Sequence, residues 1–235
     1  MSGWAAKRFW TQATVVPADQ GFTVSLDGRA LKTPAKTSFW VPSQGLADAV
    51  AQEWQAQDGK IRPETMPFTR TANSALDKVT PQFAAVADML AGYGGSDLLC
   101  YRAAAPQELV ARQAHAWDPL LAWAAATYDA PLTVTIGLMP IDQPDAPKAA
   151  LARAVHALTP FQLAAFHDLV AITGSLVLAL AIAHGHLTPD AGFDLSRTDE
   201  QWQIDLWGPD DEAAESEGHK RVSVAHAARF FTLCG

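Results

Sequence analysis

The chain has 235 residues, 49% of them hydrophobic and 18% charged, enough apolar material for one large core or a large and a small one, and unlike a disordered protein. Its two cysteines, Cys100 and Cys234, exclude a disulfide framework or a cysteine-rich zinc motif. A formal charge of -8 argues against a nucleic-acid binder, whose phosphate contacts need a basic face.

The first forty residues read as short strands, over Phe9–Val16, Gly21–Leu26, Arg29–Thr33 and Thr37–Val41. Asp27-Gly28 predicts a two-residue hairpin, because a type I′ turn needs positive φ at both positions. Ser43 then caps a predicted helix on which Leu46, Val50 and Trp54 recur at i, i+4 and i+8. Pro63 and Pro67 read as breaks, and a second short helix is expected through Thr71–Val79. Beyond residue 80 the dipeptides Thr80-Pro81, Asp118-Pro119, Thr159-Pro160 and Thr188-Pro189 each place an oxygen-bearing cap before a proline suited to a first helical turn. They predict four helix starts. Two more are expected near Pro106 and in Asp145–Ala149, and a last helix from about Asp211 to Leu233, after Gly208 ends its predecessor. Gly92-Tyr93-Gly94-Gly95 reads as a helix terminator, Gly137-Leu138-Met139-Pro140 as a turn, and Thr133–Ile136 as an extended connector.

The pattern predicts an α+β chain: a small β-rich N-terminal domain over residues 1–80 with one or two helices, then a larger all-helical domain over 81–235. The most apolar stretch, Leu169–Ala183, is 15 residues long and reads as one buried core helix, being short for a bilayer span of roughly 20 residues. Met1–Thr11 carries no apolar run of a leader, which predicts a mature chain starting near residue 1 in a cytosol or matrix.

Charge is unevenly spread. Asp190, Asp194, Asp199, Glu200, Asp205, Asp210, Asp211, Glu212, Glu215 and Glu217 face one base, Arg197, a net of -9 that leaves the rest of the chain at +1. This acidic stretch, expected to be helical over 198–217, reads either as a solvated face or as a partner surface. Eight tryptophans stand out beside it. Trp117, Trp123, Trp202 and Trp207 are expected mainly in cores, although tryptophan beside acids is also the composition of an interface.

Candidate catalytic groups are weak. Cys100 sits in a Leu-Leu-Cys run typical of a buried thiol, and His167 and Asp168, adjacent on a helix, are expected to point about 100° apart. His184 and His186 flank Gly185 at a helix end without a third metal ligand nearby. Gly92–Gly95 lacks the lysine of a phosphate-binding loop.

Eight segments in register carry a resemblance: KRFW at 7–10, LDGRALKTPAK at 26–36, EW at 53–54, TMPFTRTANSALD at 65–77, DLLCYRA at 97–103, WDPLLAWA at 117–124, HDLVAITGSLVLALAI at 167–182 and LSRTDEQWQIDLWG at 195–208. Together they resemble the alpha-subunit-binding assembly chaperones of mitochondrial and alphaproteobacterial F(1)-ATPase. The resemblance implies the same strand-then-helix organisation and a non-enzymatic chaperone, without cofactor or metal, for the ATP synthase catalytic head. Its expected partner is the free alpha subunit of F(1), whose apolar beta-contacting surface it shields until assembly. Neither nucleic acid nor stable membrane insertion is implied. The resemblance points to a bacterial cytoplasmic member, its eukaryotic relatives being matrix proteins.

The family's functional acidic residue falls in Thr198-Asp199-Glu200, with Asp199 and Glu200 both candidates. The partner-binding set is then Asp199, Glu200, Trp202 and Trp54, with Trp54 expected to serve the fold first. A two-site reversal, Asp199→Lys with Glu200→Lys, is expected to spare stability and weaken partner binding. The rival reading is a hydrolase or transferase using Cys100 with His115 or His167. A third is a scaffold that stays in the finished complex.

Overall fold

A computed structural model describes residues 7–235. Residues 1–6, part of the stretch on which the leader reading rests, lie outside the described residues. The chain resolves into two compact units, one of residues up to Phe83 with Thr159–Ala165 and Arg229–Gly235, the other of Ala84–Leu158 and Phe166–Ala228.

In the first unit, β1 (Ala13–Ala18), β2 (Gly21–Leu26) and β3 (Arg29–Ala30) form an antiparallel meander. Asp27 at φ 48° and Gly28 at φ 87° make the expected hairpin turn, and the Asp27 carboxylate returns to accept from the backbone N–H groups of Thr11 and Gln12, 2.8 Å each. The first strand starts later than its pattern suggested. Phe9 and Trp10 are held outside the ladder because the Arg8 guanidinium donates to the carbonyls of Trp10, Thr11, Gln55 and Gln57. Residues 31–41 likewise form no continuous ladder and pair at single points, among them Lys32 with Ser38 and Phe22 with Val41.

Helix α1 (Gln44–Gln55) begins at Ser43, whose hydroxyl accepts from Leu46 N–H at 3.1 Å and donates to the Leu233 carbonyl. It packs on β1 and β2 with Leu46 and Val50 fully buried. Pro67 does not break the chain; it opens α2 (Pro67–Ser74) as the first helical residue, where its missing N–H costs nothing. A π turn over Ala75–Val79 and a 3-10 turn over Thr80–Gln82 carry the helical path into α3 (Phe83–Ala91). Thr80-Pro81 is therefore not a helix start. Thr80 has helical dihedrals, and its hydroxyl donates to the Ala75 carbonyl instead of capping. Phe230 stacks on Phe68, and Trp40 packs edge-on against Phe161.

The second unit is built around α4 (Gln107–Tyr128), α5 (Asp145–His156), the later part of α6 (Pro160–Thr173), α7 (Leu176–Ala183), α8 (Pro189–Ser196), α9 (Thr198–Trp207) and most of α10 (Asp211–Leu233). A two-residue parallel pairing joins β4 (Tyr101–Arg102) to β5 (Thr135–Ile136). Asp118-Pro119 is not a helix start either: Pro119 lies inside α4. Trp117, Leu120 and Ala124 of that helix are buried together with Leu99, Val177, Leu178 and Ala181, and the Asp118 carboxylate pairs with Arg102 at 2.8 Å rather than with the backbone. Burial of that face outweighs one lost helical hydrogen bond.

The apolar stretch 169–183 is two helices. Gly174, at φ 67°, ends α6 and Ser175 caps α7. Every α7 residue from Leu176 to Ile182 is buried. Its N-terminus is completed by Asp97, fully buried, whose carboxylate accepts from Ser175 Oγ at 2.7 Å, Val177 N–H at 3.0 Å and Leu99 N–H at 3.0 Å. Helix α8 approaches α7 at Gly192, where an added Cβ would sit 2.5 Å from Ile182. No described helix is long and apolar enough to cross a membrane.

Candidate functional site

The acidic stretch is three helix segments, separated where the local chemistry requires. Thr188 accepts from Ala191 N–H to start α8, Arg197 leaves helical geometry between α8 and α9, and Gly208 at φ 85° ends α9. Asp210 accepts from Ala213 N–H at 2.8 Å at the start of α10. The acidic residues over 198–217 thus fall on two helices, α9 and α10, with the break at Gly208 where the sequence places it. Of the α9 residues only Thr198 is buried, its hydroxyl donating to the Leu195 carbonyl.

Within α9, Asp199 is half-buried and does not stand as a free surface charge. It accepts at 2.7 Å from the amide of Gln113, itself 1% exposed, whose oxygen accepts from Ala103 N–H. Glu200 pairs with Arg197 at 2.6 Å, one turn earlier. Trp202 is half-buried beneath Arg112, whose guanidinium lies 5.9 Å from its ring centroid and bonds Asp205 at 2.7 Å. The Gln201 amide and then Arg112 hold the Asp205 carboxyl below the ordinary carboxylate range. Asp190 and Asp194 share Arg221, and their carboxylates raise its pKa further.

The tryptophans separate sharply. Trp117 is fully buried, its indole N–H donating to the Leu195 carbonyl at 2.9 Å, and Trp123 packs partly buried against the same core. Trp202 is only half in, and Trp207, expected in a core, is 77% exposed beside Leu206 at 55%. Helix α9 ends at Trp207, with Gly208 as its C-cap. A groove between α9 and α10, of about 300 Å3, is lined by Arg197, Glu200, Ile204, Trp207, Pro209 and Glu217 among others. A second cavity, of about 470 Å3, lies against α4 and shares Arg197 and Glu217.

Trp54 belongs to the first unit and is not part of this cluster. It is half-buried on α1, edge-on to Trp10 with ring centroids 5.2 Å apart, and its indole nitrogen is buried. Its neighbour Glu53 carries the clearer task. Its carboxylate accepts from Phe68 N–H at 2.6 Å, Thr69 N–H at 2.8 Å and Thr69 Oγ1 at 2.7 Å, so it caps α2, whose own preceding residue, Met66, has no capping oxygen. Burial pushes the Glu53 carboxyl above its usual range despite these bonds.

Cys100 is fully buried, and burial, reinforced by Asp97, pushes its thiol up to about 12. A thiol so placed is a poor nucleophile. His167 and Asp168 do meet, at 3.1 Å, contrary to their expected divergence, because side-chain torsions close the angle between neighbouring Cα–Cβ vectors. That hydrogen bond raises the His167 pKa. His115 lines the cavity against α4. His186 stacks on Trp123 at 4.7 Å, and among the described residues no group of three His, Cys, Asp or Glu is placed to hold a metal. The residues that sequence reasoning missed are Arg112, Gln113, Arg221, Glu53 and Asp97. Each has a partner between 15 and 93 residues away, beyond any local pattern.

The model of the ATP12 chaperone protein family matches residues 7–125. A solved structure of Atp12 from Paracoccus denitrificans is 45% identical and superposes with a TM-score of 0.95, over 98% of this chain and 99% of that one. An aspartate-to-lysine mutant of the Paracoccus protein gives 44% and 0.95, with 98% of each chain covered. A protein of Agrobacterium tumefaciens gives 41% and 0.90, over 96% of this chain and 84% of that one. The mitochondrial protein atp12 of Schizosaccharomyces pombe is 24% identical over 97% of this chain and 82% of its own length.

Proposed function

The chain belongs to the ATP12 chaperone family and is a chaperone of ATP synthase assembly, and we propose on that premise that its client is the free F(1) alpha subunit, bound without catalysis or cofactor in the bacterial cytoplasm. The observation that carries this reading is the outward face of α9 and the start of α10. It joins exposed Leu206 and Trp207 to a stretch with a net charge of -9. Exposed tryptophan on a charged rim is the composition of a recognition surface rather than of a reaction centre. The buried Cys100 thiol gives the cysteine-enzyme reading no nucleophile. Asp199 and Glu200 belong to this face as part of its frame, and Trp202 as its half-buried support. Trp54 stays a proposed contributor through the stability of the first unit.

The functional test is a light-scattering assay on isolated alpha subunit. An equimolar amount of this chain is expected to suppress aggregation without nucleotide, and an inert protein of similar charge is not. Aggregation at the same rate with and without the chain contradicts the alpha subunit as client.

A further inference from the structure

Most carboxylates of the acidic stretch are already committed. Asp190 and Asp194 take Arg221, Asp205 takes Arg112, Glu200 takes Arg197, Asp199 takes the Gln113 amide and Asp210 takes the Ala213 N–H. Asp211, Glu212 and Glu215 point into solvent. Glu217 belongs to neither set. It is half-buried, lines both cavities, and its carboxylate has no ion-pair or hydrogen-bond partner among the described residues. It is also the one residue of 211–220 that is not exposed, so the first turns of α10 meet the rest of the unit along its side.

Beside Glu217 the groove is apolar, with Ile204, Trp207, Pro209, Ala213 and Ala214 in its walls. About 300 Å3 is the small end of the range for binding pockets and admits a pair of side chains, not a folded element. The charged groups facing it are Glu200, Asp210 and Glu217 against Arg197, and Arg197 is engaged by Glu200. A cation entering here gains an unneutralised carboxylate in a partly desolvated place and the face of an exposed indole. A second copy of this face would instead bring like charge against like charge.

We infer that the groove between α9 and α10 receives a segment of the alpha subunit that offers a lysine or arginine to Glu217 and seats an adjoining apolar side chain against Trp207 and Ile204. This rests on the client reading above and adds the chemistry of the contact.

The test measures affinity of purified alpha subunit for the parent chain and for Glu217→Lys, Trp207→Ala and the control Glu212→Lys, at low and at physiological salt. Glu212→Lys makes the same change of net charge on the exposed side of the same helix. Circular dichroism and melting temperature should match the parent in all three. Glu217→Lys and Trp207→Ala are each expected to weaken binding by about tenfold or more at both salts, and Glu212→Lys by less than about threefold, fading with salt. If Glu217→Lys binds no worse than Glu212→Lys while the parent binds, the groove is not the contact and the client reading stands. If the parent chain itself binds no alpha subunit, both fall. A concentration-dependent dimer of the parent that Glu217→Lys dissolves assigns the groove to a second copy and overturns the inference.

Discussion

The N-terminus of α7 and the first turns of α10 belong to the same unit and both carry acidic residues, yet they use them in opposite ways. At α7 one carboxylate, Asp97, is fully buried and takes donors from Ser175, Val177 and Leu99, with every residue of the helix up to Ile182 inside the core. At α10, residues 211–216 are all exposed, and Asp211, Glu212 and Glu215 have no side-chain partner among the described residues, while Glu217 lines the groove. A carboxylate that meets orphan helix N–H groups is part of the fold, since those donors have no other acceptor once buried. A carboxylate left unpaired at the surface adds little to stability and remains available to a partner.

The sharpest way to break this contrast is to remove the buried acid. Asp97→Ala would orphan two backbone N–H groups and a serine hydroxyl in a dry core, and should cost about 3 to 5 kcal/mol by denaturant unfolding. A loss under about 1 kcal/mol would mean that water replaces the carboxylate and that the α7 cap is dispensable.

Asp199→Lys comes next. The two-site reversal with Glu200→Lys is expected from sequence to spare the fold, but the Asp199 carboxylate accepts from a Gln113 amide that is buried. The variant should lose about 2 kcal/mol, largely from the unsatisfied amide. A melting temperature equal to that of Glu212→Lys would return Asp199 to the class of free surface charges. In the first unit, Glu53→Ala should cost about 1 to 2 kcal/mol as a lost α2 cap, with Glu53→Gln losing less because an amide oxygen still accepts.

The smallest effect is one of pH. Asp27 is exposed, and its carboxyl is held below the ordinary range by the N–H of Gln12 first and of Thr11 second. With the folded-state value below the unfolded one, its stabilisation is fully present above about pH 4 and is lost as pH falls through the folded value. The melting-temperature gap between the parent and Asp27→Ala should therefore be constant near neutrality and narrow on acidification below that range. A gap that widens on acidification would contradict the hydrogen bonds assigned to it.

Local chemistry was readable wherever one residue decides the backbone. The Asp27-Gly28 turn, the Ser43 cap, the starts at Thr159-Pro160 and Thr188-Pro189, and the last helix from Asp211 to Leu233 all stand where their signals placed them. Thr80-Pro81 and Asp118-Pro119 carry the same signal and fail. There the Thr80 hydroxyl donates to the Ala75 carbonyl and the Asp118 carboxylate pairs with Arg102 instead of capping, and the buried face of the helix decides the path. The candidate site was legible as a segment but not in its parts. Trp117 and Trp207 look alike beside their acids, yet one is in the core and the other in solvent. Which half-buried acid is left unpaired, Glu217, depends on which arginines arrive from α4 and α10, and that is a matter of long-range geometry.

The identity of the client is tested most directly by one titration: isolated F(1) alpha subunit into this chain by calorimetry, with isolated beta subunit as the comparison. Saturable one-to-one binding of the alpha subunit in the absence of nucleotide, with no comparable heat from the beta subunit, is the predicted result. No heat with the alpha subunit, or tight binding of the beta subunit alone, would contradict the assignment of the client.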